Sequence, residues 1–94
     1  MYGTVARLRA KPGAQAEIAA LARDLQGVKI SGMVADYLYH LDNAADEYYL
    51  VAVFETKAAY VANANSPEQD ARYQQLRALL VADPEWRDGE ILAV

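Results

Sequence analysis

The segment Tyr48–Phe54, Tyr-Tyr-Leu-Val-Ala-Val-Phe, is an unbroken run of apolar residues, and it restricts what the rest of the chain can build. A strand with helices on one side and water on the other alternates apolar and polar residues, because successive side chains point to opposite faces. This run does not alternate. Tyr49, Val51 and Val53 oppose Tyr48, Leu50, Ala52 and Phe54, so both faces of the sheet that contains it need apolar cover. At 94 residues the chain reads as a single domain, residues 1–94, and two helices cover only one face of a four-stranded sheet. A second subunit presenting the same face is the simplest cover for the other, which predicts a homodimer.

The remaining elements follow from punctuation and periodicity. Tyr2–Arg9 is a β-prone run ended by Lys11-Pro12-Gly13, where proline removes a ladder donor. From Ala14, the residues Ala14, Ile18, Leu21, Ala22 and Leu25 mark one face of a helix, which Gly27 is placed to close. Val28 to Leu41 reads as extended, with Gly32 as a bulge or close approach, and Asp42–Asp46 supplies turn formers ahead of the apolar run. The second half predicts a broken helix. Thr56 caps a short segment over 57–65, and Ser66, Pro67 and Gln69 form a capping-box pattern that restarts it. The restarted helix is expected to reach about Ala82 on a stripe of Tyr73, Leu76, Leu79 and Leu80, with Asp83-Pro84 as the stop. Glu90 to Val94 is the expected last strand. The order strand, helix, strand, strand, helix, strand is that of an α+β, ferredoxin-like βαββαβ antiparallel sheet with two right-handed crossovers.

Composition removes several functions. There is no cysteine, hence no disulfide framework and no thiolate zinc site. The formal net charge is -4, and no basic patch interrupts it, so neither nucleic acid nor an anionic membrane is an expected partner. An arginine at position 7 stands where a signal peptide needs apolar residues, and no stretch approaches a membrane span, so a cytoplasmic protein is expected. His40 is the single histidine; on a strand beside Leu41 and Asp42 it reads as a surface or interface residue, and a metal site is not expected. Tyr37, Tyr39, Tyr48 and Tyr49 suit packing and dimer contacts. No carboxylate pair suggests acid-base work, and the glycines form no phosphate-binding loop.

Val5-Ala6-Arg7-Leu8, Pro12-Gly13, Leu41-Asp42-Asn43, Phe54-Glu55-Thr56-Lys57-Ala58-Ala59 and Ser66-Pro67 together resemble the antibiotic biosynthesis monooxygenase-like family of the dimeric α+β barrel superfamily. The resemblance implies the barrel dimer, and an activity in which a phenolic or quinol substrate reacts with O2 without metal or flavin and supplies the electrons itself. Tryptophan often stands in the family where Phe54 stands, histidine where Asn63 stands, and a second histidine near Glu68; all three are replaced. Heme-degrading relatives use an asparagine, a tryptophan and an iron-ligating histidine that fall at Ala6, Asn63 and Tyr73, so heme is not an expected cofactor, and none other is.

The candidate substrate-binding residues are Asn63, Tyr73, Tyr60, Phe54 and Trp86; no catalytic residue is singled out. Gln69, Tyr73, Leu76 and Leu80 share a helical stripe, with Tyr73 at the end near the Asn65-Ser66 break and Asn63 just across it. Helix breaks leave backbone groups that a ligand can use, so the break is a candidate polar end of a cleft floored by Phe54 and walled by Tyr60. Trp86, expected in the loop before the last strand, either lids the cleft or staples the loop. Two functions stay open: a cofactor-independent monooxygenase acting on an aromatic, phenolic or quinol-like molecule, or a non-catalytic small-molecule binding or dimerisation module. In the plainer reading, Tyr73 caps the core and Asn63 satisfies the broken helix backbone.

Overall fold

The structure, a computed structural model, describes residues 1–94. Strands β1 (Tyr2–Arg9), β2 (Met33–His40), β3 (Glu47–Phe54) and β4 (Glu85–Glu90) form one sheet in the order β2-β3-β1-β4. All three pairings are antiparallel. Helix α1 (Gln15–Leu25) follows β1, and α2 (Lys57–Ala64) with α3 (Pro67–Arg77) lies between β3 and β4. This is the ferredoxin-like α+β arrangement that the sequence predicts. No helix is long and apolar enough to cross a membrane.

The register explains how the apolar run is used. Residues paired across antiparallel strands share a face, so Leu38, Leu50, Ala6 and Trp86 form one row, and His40, Tyr48 and Leu8 the next, on the helix side. The core lies there: Ala6, Leu8, Ala10, Ala14, Ile18, Tyr48 and Leu80 form one buried cluster, and Phe54 is also buried. The opposite face carries Tyr37, Val51 and Val5 in one row and Tyr39, Tyr49 and Arg7 in another. Nothing in the chain covers it, and Tyr37 and Tyr39 are 61% and 57% exposed. Tyr48 differs from Tyr37, Tyr39 and Tyr49 in belonging to the core rather than the open face.

Several boundaries depart from the sequence reading. Strand β2 begins at Met33, not Val28, because Gly27 and Gly32 both take positive φ and turn the intervening segment out of the sheet. A Cβ on Gly32 would stand 2.5 Å from that of Ala59, so the loop reaches α2 only because residue 32 lacks a side chain. Helix α3 stops at Arg77, before Leu79 and Leu80; Leu80 instead bridges to Ala10, and Arg77 donates to the Leu80 carbonyl and the Asp83 carboxylate. The last strand is Glu85–Glu90 rather than 90–94. Its sequence, Glu-Trp-Arg-Asp-Gly-Glu, shows little strand character because it is a largely exposed edge, defined by its pairing with β1. Trp86 therefore projects from a strand and not from a loop.

Candidate functional site

A gap in the helix layer lies over a row of short side chains. Asp36, Ala52, Thr4 and Asp88 are paired across the four strands, and the two central members, Ala52 and Thr4, leave space that Leu50, Phe54 and Trp86 border. The loop after α1, with α2 and α3, closes the sides. The result is a cavity of about 500 Å³, inside the range of about 300–1,000 Å³ usual for small-molecule sites. Twelve of its eighteen lining residues are hydrophobic, so its polar groups stand out against an apolar wall.

All five residues singled out from the sequence line this cavity: Phe54, Tyr60, Asn63, Tyr73 and Trp86. Tyr60 packs edge-on against Phe54 at 5.5 Å between ring centroids and against Tyr2 at 5.4 Å. Its hydroxyl donates to Asp88 at 2.8 Å. Burial pushes the Tyr60 phenol up to about 12, and the hydrogen bond to Asp88 adds to the rise. The Thr4 hydroxyl lies near enough to pull slightly the other way, yet it makes no hydrogen bond of acceptable geometry and has no partner in the protein. Across the cavity, the Tyr73 ring on α3 stands 6.2 Å from the Trp86 ring on β4, inclined at 49°. Trp86 is thus a wall of the cavity facing Tyr73.

The helix break contributes less than expected. Ser66 Oγ accepts from the Gln69 N–H at 3.1 Å, half of a capping box. Gln69 does not return the bond, because its Oε1 accepts from Arg72, and the Ser66 N–H donates to the Asn63 carbonyl. The Asn65 N–H is also satisfied, by Val61. The polar end of the cavity is therefore built from side chains rather than free backbone donors. The Asn63 side chain makes no hydrogen bond to the broken helix, so the cap leaves it available to the cavity.

Sequence reasoning missed Thr4 and Arg72. Thr4 sits in a short, unremarkable strand segment, and only the register reveals that it lies on the cavity floor. Arg72 occupies an ordinary helical surface position, and its signal is the absence of an ion-pair partner, which needs coordinates. His40 lies outside the cavity. It stacks on Tyr48 at 4.5 Å and donates from Nε2 to the Ala45 carbonyl at 2.7 Å, bracing the β2–β3 turn. No group of three or more His, Asp or Glu side chains is placed to hold a metal ion.

Comparison with known proteins gives the lineage of this arrangement. The profile of the antibiotic biosynthesis monooxygenase family matches residues 1–75. The chain belongs to that family. SnoaB, a cofactor-independent oxygenase from Streptomyces nogalater, solved as a mutant, superposes with a TM-score of 0.84 at 20% identity, over 99% of this chain and 94% of its own. A protein of unknown function from Nitrosomonas europaea matches with a TM-score of 0.81 at 23% identity over 99% and 90% of the two chains. A Mycobacterium tuberculosis protein gives 0.80 at 19% over 99% and 96%. At these identities the likeness concerns the fold. No curated protein matches the chain. The family profile ends at residue 75, so it includes Phe54, Tyr60, Asn63 and Tyr73 but not Trp86.

Proposed function

We propose that this family member is a cofactor-independent monooxygenase that oxidises an aromatic, phenolic or quinol-like molecule held in the cavity between the sheet and helices α2 and α3. The observation that carries the reading is the cavity itself: it is ligand-sized, mostly apolar, and lined by Asn63 and Tyr73 together with three aromatic rings. A flat phenol suits such walls, and Asn63 and Tyr73 are the groups we assign to orient its oxygen and stabilise the phenolate. An electron-rich phenolate gives up electrons to O2 far more readily than the neutral phenol. One oxygen atom enters the ring and the other leaves as water, so a simple phenol and O2 give a quinone and H2O. All four electrons come from the substrate, and no external reductant is needed. Cofactor independence is carried over from the family resemblance and from the description of SnoaB. The reading further places the protein in the cytoplasm.

The proposal includes a homodimer built through the open sheet face, where Tyr37, Tyr39, Tyr49, Val5 and Val51 are left without cover. Glu47 and Glu85 flank Arg7 on the same face, both ion-paired to it; the hydrogen bond and charge of Glu47, aided by Glu85, raise the pKa of its guanidinium. The face therefore presents an apolar part, Tyr37, Tyr39, Tyr49, Val51 and Val5, and an ionic part around Arg7, Glu47 and Glu85.

The test is O2 uptake with phenolic and quinol substrates, compared among wild type, Asn63→Ala and Tyr73→Phe. We expect both variants to remain folded and to lose at least about tenfold in kcat/KM, the scale of one lost charge-assisted hydrogen bond. Unchanged uptake in both would show that the site is elsewhere. Binding without any O2 uptake in wild type would favour the non-catalytic module.

A further inference from the structure

The cavity contains one cation without a counter-charge. Every ion pair in the protein involves Arg7 or Arg77; Arg72, half-buried on α3 and lining the cavity, has none. Its guanidinium is not loose. Nε and Nη2 both donate to Gln69 Oε1, at 3.2 and 3.0 Å, and Gln69 is itself positioned by the Ser66 cap. Two of the five guanidinium N–H donors are thereby committed to a neutral acceptor, which fixes the plane of the fork without neutralising its charge. The three remaining N–H donors and the charge of this half-buried arginine are open to an anion in the cavity, which would complete them. The lining carboxylates do not: Asp36 and Asp70 are exposed and make no ion pair, and Asp70 lies in the first turn of α3, where it answers the helix dipole.

The second unfilled group is on the floor. Thr4 is 5% exposed, and its hydroxyl lacks a partner. A buried hydroxyl left unmade costs free energy that a ligand can recover. Ala52, Leu50 and Leu76 line the same cavity, an apolar surface that suits a ring system and offers it no hydrogen bond.

We infer that Arg72 and Thr4 are the two polar anchors of the cavity, and that its ligand is an aromatic carboxylic acid carrying a hydroxyl group. The carboxylate lies against the planar fork of Arg72, whose paired donors match its two oxygens, and the hydroxyl meets Thr4. The inference rests on the reading of the cavity as an aromatic-ligand site, and it adds a choice of substrate class that Asn63 and Tyr73 do not make. Arg72 and Thr4 are specificity-determining residues, distinct from the groups assigned to the phenolate.

Calorimetric titration of the dimeric protein with hydroxynaphthoate, naphthoate and naphthol separates the anchors. Wild type is expected to bind hydroxynaphthoate about tenfold more tightly than naphthol, the scale of one charge-assisted contact. Arg72→Gln removes that preference, and Arg72→Lys retains part of it. Thr4→Val brings hydroxynaphthoate down to the level of naphthoate. Equal binding of acid and neutral probes by wild type, or a preference that survives Arg72→Gln, overturns the acid anchor but leaves the aromatic cavity standing. A gap between hydroxynaphthoate and naphthoate that persists in Thr4→Val overturns the floor anchor. If wild type binds none of the three probes, the cavity reading and this inference fall together. Circular dichroism and light scattering on each variant separate lost anchors from lost folding.

Discussion

The Tyr60 hydroxyl donates to Asp88 across 28 positions of sequence separation, joining the short helix α2 to the edge strand β4 at the rim of the cavity. The bond requires a protonated phenol, and the Tyr60 pKa is raised to about 12 from an ordinary 10.0 by burial first and by Asp88 second. A phenol that is harder to ionise in the folded state contributes stability that is complete below its unfolded value and is lost as pH rises through the folded one. The Tyr60 contribution is therefore expected to be constant up to about pH 10 and to be lost between pH 10 and 12. Tyr48, raised by burial and by Asp46, acts in the same direction. Urea unfolding at a series of alkaline pH values measures the loss, and Tyr60→Phe should flatten the part of the decline that belongs to this residue. An unchanged decline in Tyr60→Phe would assign it elsewhere.

The cap between α2 and α3 gives a second prediction. Ser66 Oγ holds the Gln69 N–H, and Gln69 in turn orients Arg72. Ser66→Ala should cost about 1 kcal/mol of stability, the usual value of an N-cap, seen as a fall in Tm of about 4–8 °C for a domain of this size. Because the cap also orders the Arg72 support, affinity for acidic aromatics should fall along with stability in this variant.

The open sheet face gives the third. The protein should scatter light as a dimer at micromolar concentration. Val51, paired with Tyr37 and Val5 at the centre of that face, is the position to break: Val51→Asp would bury an unpaired carboxylate, costing on the order of several kcal/mol. The expected result is a monomer, or an unfolded chain if the monomer cannot stand alone. A wild-type monomer of full stability would leave the apolar face unexplained and remove the dimer from the proposal.

How far the sequence could be read depended on whether a residue's role is local. The Ser66 and Thr56 caps, the closing Gly27 and the strand 48–54 were legible because capping, left-handed backbone and side-chain alternation are properties of a few neighbouring residues. Gly32 was legible as a close approach, although not the partner it approaches. The end of α3 and the position of β4 were not, because they are set by partners far along the chain: Ala10 for Leu80, and β1 for residues 85–90. The site divides in the same way. Asn63, Tyr73 and Tyr60 follow from helical spacing around a visible break. Thr4 and Arg72 are defined by what they fail to contact, and Ala52 by being small where its neighbours are large.

That small residue supplies the last prediction. Ala52 sits beside Thr4 in the floor row, and its short side chain, rather than any polar group, makes the cavity deep. Ala52→Leu adds three carbon atoms pointing into open space bordered by Leu50, Phe54 and Leu76. Filling apolar space with apolar atoms gains up to about 0.8 kcal/mol per buried methylene, so the substitution should leave stability unchanged or raise it slightly. Ala52 lies on the face opposite the open one, and the dimer should persist. Ligand binding, however, should disappear for phenols and aromatic acids alike, because a ring and the new side chain compete for the same volume. Titration calorimetry checks the binding and thermal unfolding checks the stability. If Ala52→Leu is fully folded and still binds aromatic probes with wild-type affinity, the ligand does not enter this cavity, and the roles assigned to Asn63, Tyr73, Arg72 and Thr4 all fail with it.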